Sequence, residues 1–62
     1  MMSATKILKK RLANMTLLDM EKATAELETR RAGEGNPMIR SSYTSQLSIL
    51  ALAIAKRKNG KA

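Results

Sequence analysis

Ser41-Ser42-Tyr43-Thr44-Ser45-Gln46-Leu47-Ser48-Ile49-Leu50-Ala51-Leu52-Ala53-Ile54-Ala55 carries no charge and ends in seven consecutive apolar residues. Arg40 and Lys56 bracket it. Its apolar residues do not keep to one side of a helix. Tyr43, Leu47, Leu50 and Ile54 follow a four-three-four spacing, a short heptad-like seam, whereas Ile49 and Leu52, with Met38 just upstream, point roughly the other way. A helix that is apolar on more than one side has to be buried over most of its circumference. Ser48, Ala51, Ala53 and Ala55 are small enough to let another helix come close. The stretch therefore predicts a helix that packs on its own chain with one face and on something else with the other. Leu47–Ala55 falls far short of the roughly 20 apolar residues that cross a bilayer, so no membrane association is expected.

The rest of the chain has little with which to cover such a helix. It has 62 residues, one aromatic side chain (Tyr43), no Cys and no His. Chains of this size bury only about 60% of their unfolded surface, and disulfides, metals or association usually make up the difference. Without Cys or His, disulfides and ordinary structural zinc are excluded, and association remains. The core has to come from Leu, Ile, Met and Ala, which suits helix-on-helix packing. Met15, Met20 and Met38 read as gap-fillers in a Phe-free core rather than as the lining of a promiscuous groove.

Upstream, Ser3 can cap a first helix over residues 4–14. Ala4, Ile7, Leu8, Leu12 and Met15 form its apolar face, and Lys6, Lys9 and Lys10 its solvent face. Thr16-Leu17-Leu18-Asp19 has the capping-box spacing, and the apolar phase jumps there, so a second helix starts afresh and runs over 17–32. Asp19 and Glu21 near its start and Arg30-Arg31 near its end complement the helix dipole, and Glu26 to Arg30 is an i,i+4 ion pair. Residues 33–36 form a loop, with Gly33 expected as a left-handed C-cap. Asn36 then caps a third helix over 37–58, with Pro37 at its first position, and residues 59–62 are expected to fray.

Charge is segregated: 12 Lys and Arg face 5 acids, for a net +7. Asp19, Glu21, Glu26, Glu28 and Glu34 all lie in the middle third. Lys6, Lys9 and Lys10 at one end, and Arg40, Lys56, Arg57, Lys58 and Lys61 toward the other, are candidate contacts to a polyanion. The competing reading is a solubilising surface with no specific partner. No aromatic platform accompanies the cations, which argues against single-strand recognition. Arg40-Ser41-Ser42-Tyr43-Thr44-Ser45-Gln46 has the polar make-up of a helix that reads a major groove. Against that, the loop before it is longer than in a helix-turn-helix, and the preceding helix is too long.

Catalysis is not expected. The usual base and thiol nucleophile are missing, and the four clustered carboxylates spread around a helix among Lys22, Arg30 and Arg31. No catalytic residue, metal site, cofactor or small-molecule substrate is assigned. The expectation is an all-α domain, a short helix plus a longer helical hairpin, self-associating into a dimeric bundle. In architecture, though not in motif, it resembles the small plasmid- and phage-type helical hairpins that dimerise as four-helix bundles. Tyr43, Leu47, Ile49, Leu50, Leu52 and Ile54 are the expected core and dimer seam. Size, lack of Cys, absence of a signal peptide and the Met-Met start point to a cytoplasmic bacterial or phage accessory protein. The expected function is regulation by protein–protein contact. The partners would be the chain itself and an unidentified acidic protein. The alternative is nucleic-acid binding through the basic clusters.

Overall fold

A computed structural model describes residues 4–60, and all regular structure among them is helical: α1 (Ala4–Leu12), α2 (Leu17–Gly33) and α3 (Pro37–Asn59). The expected cap at Ser3 and the tail residues 61–62 lie outside the described residues. The break between α1 and α2 falls where the change of apolar phase predicts it. Thr16 Oγ1 accepts from the Asp19 N–H and Asp19 Oδ2 accepts from the Thr16 N–H, both at 3.1 Å. These two bonds satisfy donors that a helix start leaves orphaned. Thr16 also holds the Asp19 carboxyl below its ordinary carboxylate range, through its backbone N–H first and its hydroxyl second. A lowered folded value means that the box stabilises fully above the ordinary aspartate pKa of about 3.9 and is lost as pH falls through the lowered one. Thr16→Ala is expected to cost about 1 kcal/mol in thermal or urea unfolding. Unchanged stability would mean that the box holds nothing.

All three helices end differently from expectation, and Asn59, expected to fray, is the last helical residue of α3. α1 stops at Leu12 rather than residue 14, and the chain turns through Ala13-Asn14 with the Asn14 N–H on the Arg11 carbonyl at 3.0 Å. The Leu12 carbonyl at this end accepts from the Met15 N–H at 3.2 Å and also from Arg57 Nη2, at the far end of the chain, at 3.3 Å. Gly33 is not a left-handed cap, because no described residue has positive φ. It closes α2 as a helical residue. Glu34 follows in extended conformation, with its N–H on the Arg31 carbonyl at 3.2 Å. Asn36 caps α3 as expected, with Oδ1 accepting from the Met38 N–H at 2.9 Å and Pro37 in the first turn. Gly60 ends it with an N–H to the Lys56 carbonyl at 2.7 Å. A Cβ at Gly60 would lie 2.9 Å from that oxygen, so the tight ending needs glycine.

α3 is the spine. α2 runs antiparallel to it: Glu21 near the start of α2 approaches Lys58, and Ala23 and Leu27 share a groove with Gln46. α1 runs parallel to it, since Ala4 and Ile7 border a groove with Gln46, and Leu12 one with Ala53 and Lys56. Among the described residues only Met20 and Leu50 are fully buried. Around them Leu8, Leu12, Leu17, Leu27, Tyr43, Leu47 and Ile54 are half-buried. The Cα envelope measures 41 × 26 × 14 Å, a slab rather than a ball. Helix axes pack 8–10 Å apart, so a slab this thin leaves each helix a solvent face.

Candidate interaction surface

On the outer side of the spine, Met38, Ser41, Ser45, Ser48, Leu52 and Ala55 are all exposed. They recur at three, four, three, four and three residues, the spacing of a helix–helix seam. None is charged. Met38 is 82% and Leu52 69% exposed, and they are the most exposed large apolar side chains among the described residues. Beside Leu52 an open groove of about 420 Å³ runs between α1 and α3. Leu12, Ile49, Leu52 and Ala53 line its apolar part, and Lys9 and Lys56 border it.

The expected seam thus separates into two parts. Tyr43, Leu47, Leu50 and Ile54 lie on the arc of α3 that turns toward the other helices, with Leu50 wholly inaccessible. They form the interior of one chain. Ile49 and Leu52 lie toward the open side, Ile49 half-buried at the groove and Leu52 exposed. Met38, read from the sequence as lying on the same side as Ile49 and Leu52, is exposed there and extends that side to the start of α3.

A second surface comes from the parallel course of α1 and α3. Both end at the same end of the molecule. Lys9, Lys10 and Arg11 in the last turn of α1 therefore meet Lys56, Arg57 and Lys58 in the last turn of α3. The Arg57–Leu12 hydrogen bond ties the two ends together, and Lys9 and Lys56 border one groove. Lys58 Nζ lies 4.0 Å from Glu21 Oε2, an exposed and weak pair. Cations near helix C-termini are favourably placed against the dipole, so their gathering has a structural reason as well as a functional one. Lys6 is exposed on the same helix. Arg40 is exposed near the start of α3, about 25 Å away along the helix at 1.5 Å per residue, and does not join the cluster. Lys61 lies outside the described residues.

The polar start of α3 makes mostly local bonds: Thr44 Oγ1 to the Arg40 carbonyl at 3.1 Å, and Gln46 Nε2 to Ser42 Oγ at 3.3 Å. Among the described residues no group of acids is placed to hold a metal ion, and no helix is long and apolar enough to cross a membrane. Comparisons with protein-family models, with curated proteins and with solved structures found no match for this chain.

Proposed function

We propose that this chain is a small non-enzymatic protein that works by protein–protein contact, as a helical homodimer joined through the outer face of α3. The observation that carries the reading is the pairing of a two-residue interior with a charge-free outer face bearing exposed Met38 and Leu52. Area supports it. The chain exposes 4815 Å², whereas a compact 6.8 kDa protein exposes about 4,000 Å². The flat shape leaves that extra surface uncovered, and a standard interface covers about 800 Å² on each partner. Association that stabilises the fold makes the melting temperature rise with concentration. Circular dichroism melts over a hundred-fold range of concentration test this. A constant midpoint with full helicity would overturn the reading.

One observation favours a second reading, contact with nucleic acid: the structure gathers cations from both ends of the chain at one end of the molecule. Helix-borne Lys and Arg that neutralise phosphates give a log–log salt slope of about −0.9 per contact. Lys9→Ala, Lys10→Ala and Lys56→Ala together are expected to flatten the slope for duplex DNA by up to about 3 units, for all sequences alike. Absence of duplex binding at low salt, where screening is least, would end this reading.

A further inference from the structure

The homodimer reading leaves open how two copies of α3 meet, and the distribution of size and charge along the helix decides between the two directions. We infer that the second copy packs α3 antiparallel on α3, with Ser45 opposite Ser48, Ser41 opposite Leu52 and Met38 opposite Ala55. This inference rests on the homodimer reading and adds its direction and register.

Size points one way. Along the outer face the two large side chains, Met38 and Leu52, sit toward opposite ends of the row, with Ser41, Ser45 and Ser48 between them and Ala55 beyond. Antiparallel pairing about a two-fold axis midway between residues 46 and 47 sets each large residue against a small one. Facing layers interdigitate best when large meets small. The groove of about 420 Å³ beside Leu52 and Lys56 then lies where Met38 of the second copy arrives. Parallel pairing sets Met38 on Met38 and Leu52 on Leu52, leaves the serines facing one another, and fills no groove.

Charge points the same way. Parallel pairing brings the two basic ends together, Lys56 beside Lys56 with Lys9, Lys10, Arg57 and Lys58 close behind on both copies. Like charges so placed repel. Antiparallel pairing sends those ends to opposite tips of the dimer. Each then lies alongside the start of α3 in the second copy, where Glu34 and Arg40 stand rather than a second copy of the basic cluster, and the negative C-terminal end of one α3 meets the positive N-terminal end of the other.

The chain has no cysteine, so introduced ones report without background. Met38→Cys and Ala55→Cys variants, both at exposed positions, are mixed at equal concentration with oxidised glutathione, after circular dichroism confirms that each is folded. Antiparallel pairing holds Cys at 38 against Cys at 55 of the other variant. It separates two copies of residue 38 by about 25 Å along the axis. Cα atoms more than about 7 Å apart cannot be bridged, so the mixed disulfide should form at least about ten-fold faster than either self-link. Rapid self-linking of Met38→Cys would establish parallel pairing and overturn the inference. A dimer by sedimentation that links in no combination would overturn it too, by placing the contact elsewhere. A folded monomer by sedimentation would instead remove the homodimer reading beneath it.

Discussion

Leu50→Asp abolishes the fold. Leu50 is wholly inaccessible and shares the buried centre of the molecule only with Met20. Removing a buried leucine side chain to Ala costs about 2–5 kcal/mol. Aspartate adds the cost of desolvating a carboxylate, and the half-buried residues around it on α3 include no basic side chain. Single domains hold about 0.05–0.15 kcal/mol per residue, or roughly 3–9 kcal/mol for a chain of this length. One substitution therefore consumes most or all of the stability. The far-ultraviolet helical signal should be largely lost at room temperature. A variant that melts cooperatively near the parent temperature would show that Leu50 is not at the centre.

Leu52→Asp, two residues along the same helix, separates the dimer without unfolding the chain. Leu52 is 69% exposed within one copy, so the fold loses little. The new carboxylate stands four residues before Lys56, the favourable order for an i,i+4 pair on an exposed helix. In the dimer the same carboxylate is trapped against a serine-rich face. A large apolar anchor buried in an interface is worth about 2 kcal/mol or more, which weakens association about thirty-fold when it is lost. The expected variant is helical and monomeric at concentrations where the parent is dimeric. Equal loss of helicity at positions 50 and 52 would mean that α3 has one apolar face, not two.

Much of the fold is legible in the sequence because its signals are local. Thr16 and Asp19 stand three apart, as a capping box requires, and Asn36-Pro37 is a helix start in two residues. The structure departs from expectation at helix ends. α1 closes at Leu12 in a local turn, and the guanidinium 45 residues away that also reaches the Leu12 carbonyl is a contact that no periodicity within residues 4–14 could reveal. Gly33 was expected to reverse the chain, but the extended backbone of Glu34 does so instead.

The candidate surfaces were legible by residue type more than by place. Lys9, Lys10, Lys56, Arg57 and Lys58 stand out by charge, but only the parallel course of α1 and α3 gathers them at one end. Tyr43, Leu47, Leu50 and Ile54 stand out by spacing, and they serve the interior of one copy. Met38 and Leu52 are legible as a second face of α3, but the serines between them carry no hydropathy signal that would trace the row. Its meaning depends on knowing which side of α3 the other helices occupy.

Sedimentation equilibrium of the unmodified chain at tens of micromolar tests the central claim most directly. A mass twice the 6.8 kDa of one copy, falling to one copy in Leu52→Asp with helicity retained, is the expected result. A fully helical particle of 6.8 kDa at every concentration, with or without the substitution, would contradict it.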